Sequence, residues 1–597
     1  MSAARWCALV AVLLLAPLAG LYLAGWLLLV LLDLDRALLA WNTFPTYLRV
    51  LDLPQMQPYR MHVAWAGVAG TVPVLLAIAV LGWRICRRRP EALHGDAGFA
   101  RLADLKKAGL LRETPDGIVL GRFKGHYVSL GGTQHVIAMA PTRSGKTTSI
   151  AIPVLLSYGH SAVVLDVKGE LYRSTSGWRA SQGQQIHVWA PYDEEGRTHR
   201  FNPLSLLLRH AAPERLAELQ TIAAILYPDA PGRDPFWTTQ ARAAFTGFAG
   251  YLFEAWDHLV ASGGPSIQVA GTLRAAAPDA QTSIHFPSLE RVLLLSSPDG
   301  TDLASHLHSL RAAPFASEQT RTVFANLAGL AEQTLSSVIA TVQAPLQQFL
   351  SPLLAAATNA TDFDITQLRR RPTTLYVIIP TRKLDESRML LNIFFSTVIG
   401  NNLDKQLGET PDLKHQVLML MDEFTAMGRV DVWAKRISVS ASYGVRDLCI
   451  IQSRSQLTSV YGEEDAQNFI VNHGAQVGFT PREQADAQTY SEMLGYRTVR
   501  RKTASASRGA GGRSVSYSRV EERRALMLPQ EVKQLPADEQ LIFYEGCKPI
   551  RCRKNWYFKD KVFRQRAQIP PLRMSSIHER AKAAVARCAT SGDSEDP

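Results

Sequence analysis

Cysteine is scarce in this chain. Its 597 residues hold six: Cys7, Cys86, Cys449, Cys547, Cys552 and Cys588. So few exclude a disulfide scaffold, and Cys547 with Cys552 has no second pair at the spacing of a zinc site. A reduced compartment fits. Charge is also modest, at 20% of residues against 46% hydrophobic, which excludes intrinsic disorder as the main state. No segment repeats at a solenoid period. Charged residues are wholly missing from Trp6 to Leu32 and again from Val63 to Trp83.

Those two uncharged runs are long enough to cross a bilayer, which takes roughly 20 apolar residues. Pro17 and Pro73 lie inside them, as membrane helices tolerate. A cleaved signal peptide is the alternative for the first run, given Arg5 and the small residues around Ala16-Pro17-Leu18-Ala19. Against it, the run exceeds the roughly 7–15 residues of a signal core. The second run stops at Arg84 and Arg87-Arg88-Arg89, positive charge that marks the cytosolic side. The expectation is a membrane anchor over residues 1–90, with spans at about 6–32 and 63–83 and a short periplasmic loop between them. Under either reading the chain after Pro90 is cytosolic.

That cytosolic part alternates short apolar runs with helical stretches, the pattern of an α/β domain on a mostly parallel sheet. Strands are predicted at His135–Ala140, Ala162–Asp166, Ile186–Ala190, Thr374–Pro380, Val417–Asp422, Leu448–Gln452 and Gln476–Thr480. Between about Leu204 and Thr361 the alternation stops. Pro213–Leu226, Pro235–Leu259, Leu303–Leu310 and Glu318–Leu350 read as helices, with a Gly/Pro/Ser-rich loop around Ser262–Pro287. The domain expectation is an ATPase domain in two parts, 91–204 and 362–569, interrupted by an all-α insertion over 205–361. Thr503–Ser518 reads as a flexible loop. Pro570-Pro571 is expected to end the packed region, leaving 570–597 as a short basic helix and an acidic tail, Ser591–Pro597.

The strongest chemical signal is Ala140-Pro141-Thr142-Arg143-Ser144-Gly145-Lys146-Thr147-Thr148. It follows a predicted strand and opens a helix, the context a phosphate-binding loop requires. Successive backbone N–H groups and a helix N-terminus there face an anion. Lys146 would reach the β- and γ-phosphates of ATP, and the Thr147 hydroxyl would ligate Mg²⁺. Such loops usually begin with Gly; here Ala140 stands in that position, so the chain must enter through an ordinary backbone conformation. Pro153 predicts a kink in the following helix.

The partner motif is Val417-Leu418-Met419-Leu420-Met421-Asp422-Glu423. A buried strand delivers two carboxylates at its C-terminal end, where α/β sheets bind ligands. Asp422 would hold the Mg²⁺ shell and Glu423 would polarise the attacking water. A third strand delivers Gln452, whose amide could sense the γ-phosphate. Asp166-Val167-Lys168-Gly169-Glu170 reads equally as a site or a structural turn. Arg436, Arg446 and Arg454 are candidates for a charge-stabilising finger reaching a neighbouring subunit, though each singly fits a surface or salt-bridge residue better.

With these residues in hand, the chain resembles the type IV secretion coupling proteins, the TraG-type conjugation ATPases. The match runs through His94-Gly95-Asp96-Ala97, Ala140–Thr148, Asp166–Leu171, Phe201-Asn202-Pro203-Leu204 and Leu375–Pro380. It continues in Asp422-Glu423-Phe424, Gln452-Ser453-Arg454-Ser455-Gln456-Leu457 and Tyr461-Gly462. The resemblance implies an inner-membrane anchor, a RecA-like P-loop motor domain, an inserted all-α domain and a homo-hexamer. It implies ATP hydrolysis that helps move relaxase-bound single-stranded DNA into a type IV secretion channel, and roles at the nucleotide site for Lys146, Thr147, Asp422, Glu423 and Gln452. Other systems of the family carry protein effectors, so a docking receptor using ATP as a switch stays open. An FtsK-like translocase is disfavoured by the two spans, the helical insertion and the lack of a winged-helix module. An ABC transporter is disfavoured because no Leu-Ser-Gly-Gly-Gln precedes Asp422.

The net charge of +12 divides unevenly. Residues 1–90 carry +5, residues 497–566 carry +11 and the rest carry −4. The first share is topology. The second is the place to look for DNA contact, although a solvated face or anionic lipid would fit as well.

Overall fold

The structure, a computed structural model, describes residues 3–86, 93–229, 232, 234–262, 286–298, 300–509 and 512–580. The chain divides into two compact units, Met1–Leu93 and His94–Pro597.

The first unit is a helical pair. Helices Ala3–Leu31 and Arg60–Cys86 pack along each other, with the short helix Thr43–Arg49 beside them. Their crossing is made by glycine. A Cβ on Gly20 would lie 2.7 Å from the Gly70 carbonyl oxygen, and one on Gly70 2.6 Å from that of Gly20. Small residues let two backbones approach this way, which is how helices associate where no hydrophobic effect drives them together. Among the described residues, Pro54–Leu81 is long and apolar enough to cross a membrane. Leu15–Leu31 is a further apolar stretch, within the 29-residue helix Ala3–Leu31.

Among the described residues the second unit is built on thirteen strands. In chain order they are β1 (Ile118–Phe123), β2 (His126–Leu130), β3 (Val136–Met139), β4 (Ser161–Asp166), β5 (Gln185–Trp189), β6 (Thr373–Ile378) and β7 (Val417–Met421). There follow β8 (Val445–Ile451), β9 (Ala475–Gly478), β10 (Tyr496–Gly509), β11 (Gly512–Ala525), β12 (Glu539–Tyr544) and β13 (Ile550–Arg553). Eleven form one sheet in the order β2-β1-β13-β12-β9-β3-β8-β7-β4-β6-β5. From β9 to β5 every pairing is parallel; from β9 back to β2 every pairing is antiparallel.

The seven predicted strands are β3 to β9, the parallel half. Their residues face two separate cores. In β3, Ile137 and Met139 join one apolar cluster while Val136 and Ala138 join the other, and β4, β7 and β8 alternate likewise. Strands buried on both faces read as unbroken apolar runs, which is why the sequence displays them.

Between β5 and β6 the described chain forms helices only, from Ala212–Leu226 and Pro235–Ala261 through to Pro352–Thr358. The predicted helix Glu318–Leu350 is three pieces, Glu318–Ala328, Glu332–Gln343 and the 3₁₀ turn Ala344–Leu350. The break falls at Gly329-Leu330, where Gly329 caps the first piece. Most of the expected loop around 262–287 lies outside the described residues. Where the helical segment leaves and re-enters the sheet, its two ends are tied together. Phe201 N–H donates to the Ala357 carbonyl at 2.9 Å and Asp362 N–H to the Arg200 carbonyl at 3.1 Å. The Arg200 and Asp362 side chains pair at 2.7 Å.

Two expectations are corrected. Residues 503–509 and 512–518 are not a loop: they lie in a two-stranded antiparallel ribbon, β10–β11, whose register runs from Tyr496 opposite Ala525 to Gly509 opposite Gly512. Its inner end is supported by cross-strand charge, Arg500 with Glu521 at 2.7 Å, and by the Arg523 guanidinium 3.6 Å from the centre of the Tyr496 ring. Nor does Pro570-Pro571 end the packed region. A Cβ on Gly177 would run into the Pro570 carbonyl, Ile577 N–H donates to Gly196 at 2.9 Å, and Arg580 meets Asp362 at 3.4 Å. Prolines end regular structure, but an extended chain still packs wherever glycine leaves it room. The acidic tail lies outside the described residues.

Candidate functional site

The phosphate loop joins β3 to a helix that starts unusually. Thr147–Ala151 is a π-turn, in which Ile152 N–H reaches back to the Thr147 carbonyl, and the α-helix Ile152–Ser157 follows. Pro153 therefore falls in the first turn of that α-helix, where its missing N–H costs nothing. The helix changes pitch just before Pro153, and such turns are common at functional sites.

Ala140 is fully buried, and its N–H donates to the Ile451 carbonyl at 2.8 Å. It keeps ordinary backbone geometry; the left-handed positions are Arg143 (φ 61°) and Gly145 (φ 85°). The loop thus makes its tight turn three residues after the position where glycine is usual. Ser144 closes it, its hydroxyl donating to the Pro141 carbonyl at 2.6 Å. Outside contacts hold it in place. Arg482 donates to the Thr142 carbonyl at 2.8 Å and Lys554 to the Ser144 carbonyl at 3.0 Å.

β7 brings the two carboxylates to this loop. Lys146 donates to the Asp422 backbone carbonyl at 3.0 Å and pairs with the Glu423 carboxylate. The Thr147 hydroxyl donates to the Asp422 carboxylate at 2.9 Å. Gln452, at the end of β8, donates to Glu423 at 3.4 Å. Burial pushes the Asp422 carboxyl up to about 6, against the opposing pulls of the Lys146 ammonium and the Thr147 hydroxyl. A buried carboxylate beside a hydroxyl, with a lysine at hand, is an oxygen set suited to Mg²⁺. The structure thus brings Lys146, Thr147, Asp422, Glu423 and Gln452 together from three neighbouring strands.

Other candidates are placed elsewhere. The Asp166 carboxylate accepts from the N–H groups of Glu170 (3.1 Å) and Tyr172 (2.8 Å). It caps the helix Glu170–Ser181, and burial raises its carboxyl despite those bonds. The turn reading holds. Arg446 cannot be a finger: it is fully buried and donates to the carbonyls of Asp116 (2.6 Å), Gln134 (3.1 Å) and Leu130 (3.2 Å). Arg454 lies beside Asp486, and Arg436 is exposed on the helix Asp431–Ser440. Sequence reasoning missed Arg482 and Lys554. Neither stands in a motif, and each reaches the loop only because β9 and β13 end on the same side of the sheet.

A family model described as "Type IV secretory system Conjugative DNA transfer" matches residues 95–580. The chain belongs to that family. Relatives agree. Protein VirD4 of Rhizobium radiobacter is 28% identical over 536 residues, covering 88% of this chain and 72% of the relative. Conjugal transfer protein TraG of Escherichia coli is 26% identical over 579 residues, covering 88% and 86%. Solved structures share the fold. The conjugative coupling protein TrwBΔN70 in complex with sulphate matches with a TM-score of 0.53 at 17% identity, over 81% of this chain and 99% of that one. TrwB with the ATP analogue ADPNP gives a TM-score of 0.52 at 16% identity, over 78% and 96%, and TrwB with ADP and Mg²⁺ gives 0.51 at 17%, over 80% and 99%. The chain is a type IV coupling protein with a role in conjugative DNA transfer.

Proposed function

We propose that this coupling protein hydrolyses ATP at the β3–β7–β8 edge and uses the energy to pass relaxase-bound single-stranded DNA to a secretion channel. The observation that carries the reading is the meeting of Lys146, Thr147, Asp422, Glu423 and Gln452 in a chain of this family. Thr147 and Asp422 would hold Mg²⁺, which supplies charge neutralisation on the phosphate oxygens. Lys146 is paired with Glu423, and a triphosphate in the loop competes with Glu423 for that ammonium. Once displaced, the Glu423 carboxylate is free to accept a proton from water, and the Gln452 amide orients it. The helical pair of residues 3–86 anchors the protein in the bacterial inner membrane, with the ATPase unit in the cytosol and six copies forming a ring.

Purified protein tests the reading through its ATPase rate with and without single-stranded DNA. Stimulation that weakens as salt rises supports DNA as cargo, since phosphate contacts are salt-sensitive. A rate indifferent to DNA at every ionic strength would instead favour a receptor for protein cargo.

A further inference from the structure

Two parts of the chain approach the phosphate loop from opposite flanks of β3. β8 and β7 lie to one side of β3; β9, β12 and β13 lie to the other. Asp422 and Glu423 come from the β7 side and engage Lys146 and Thr147. That side is therefore where the β- and γ-phosphates belong. The sugar and base of the same nucleotide, joined through the α-phosphate, must then leave toward the other side.

A strap occupies that other side. Directly after β13, Lys554 Nζ donates to the Ser144 carbonyl at 3.0 Å and Tyr557 N–H to the Thr148 carbonyl at 3.1 Å. Between them the Trp556 ring lies against Gly145, filling the space a Cβ would need. Lys554 is itself buried, its ammonium 3.7 Å from the centre of the Phe479 ring, so the base of the strap is firmly held. Trp556 is not sealed in. It is half-buried, its ring 5.7 Å from that of the exposed Phe558. Its indole Nε1 is buried without a hydrogen-bond partner. A ring present only to prop the loop would be covered on both faces and have its N–H satisfied.

We propose that Trp556 stacks on the base of the bound nucleotide, so that the strap Lys554–Phe558 recognises the base while the loop recognises the phosphates. The inference rests on the nucleotide reading of the Lys146 site. An indole offers a base a flat, polarisable face, and such stacking tolerates more than one purine.

Calorimetric titration of the full-length protein in detergent, with ATP and separately with inorganic tripolyphosphate, tests it. W556A is expected to weaken ATP about five- to tenfold, by the usual worth of one base–aromatic stack. Tripolyphosphate, which has no base, should bind within twofold of wild type. W556F should recover most of the ATP affinity, and W556L, which fills the space without stacking, should not. Equal losses for both ligands, or ATP affinity unchanged in W556A and W556L, would overturn the stacking. The underlying reading fails separately, if K146A binds both ligands as wild type does.

Discussion

The two halves of the large sheet differ in kind. The parallel half, β9 to β5, carries the acidic pair, the phosphate loop and Gln452 at one edge. The antiparallel half, β2 to β12, supplies none of the residues placed at the β- and γ-phosphates, yet Lys554 after β13 holds the loop from outside. Parallel strands all point their C-terminal ends the same way, so their loops converge and build sites. Antiparallel strands split their ends between two edges and serve here as a buttress.

The largest effect expected from breaking this contrast is on the parallel side. E423Q or K146A should lower ATP turnover by roughly 10²–10⁴-fold, the usual worth of a positioned proton acceptor, while folding and membrane insertion stay intact. Phosphate release and protease resistance read the two together. Full substrate transfer by either variant would refute an ATP-driven motor.

Next comes the seam between the halves. Arg446 on β8 donates to Leu130 at the end of β2 and to Asp116 just before β1. R446M leaves those buried carbonyls unpaired and should cost roughly 3 kcal/mol or more in denaturant unfolding. A variant as stable as wild type would mean that Arg446 adds nothing to the joint that β9 and β12 already make. G177A, which drives a methyl into the Pro570 carbonyl, should cost about 1–3 kcal/mol by displacing the C-terminal strand-like segment.

The pH response of Lys554 is subtler. Burial pushes its ammonium down to about 8 from an ordinary 10.5. Above pH 8 the folded protein releases this proton while the unfolded chain keeps it up to about 10.5, so the group favours folding increasingly as pH rises through that window. K554M should flatten that rise in unfolding curves taken at pH 7 and 9.5. The smallest effect belongs to the ribbon. R500A breaks its pair with Glu521, a partly exposed pair worth about 0–1 kcal/mol. Replacing Arg497, Arg501 and Arg519 together should leave basal ATPase unchanged and weaken its stimulation by DNA, most visibly at low salt.

The same contrast governs what could be read in advance. The inner parallel strands β3, β4, β7 and β8 were legible because both their faces are apolar. β1, β2, β12 and β13 were not: β13 is Ile550-Arg551-Cys552-Arg553, two buried positions alternating with two exposed ones, too short to stand out. The ribbon escaped because a Ser-, Gly- and Arg-rich composition reads as a flexible linker. At the candidate site, the motif residues Lys146, Thr147, Asp422, Glu423 and Gln452 lie together. The strap and Arg482 were invisible because nothing local links position 554 or 482 to a loop at 142–145.

The tie between the ends of the helical segment has a consequence for how this molecule could change. Arg200 with Asp362, and Phe201 with Ala357, close a neck across which the sheet sees only two adjacent strands, β5 and β6. Closing a longer excursion behind such a neck costs little, about 0.6 kcal/mol for each doubling of its length. The helical segment is in effect a graft: it can be lengthened, trimmed or exchanged for another helical fold while the sheet beneath keeps its register.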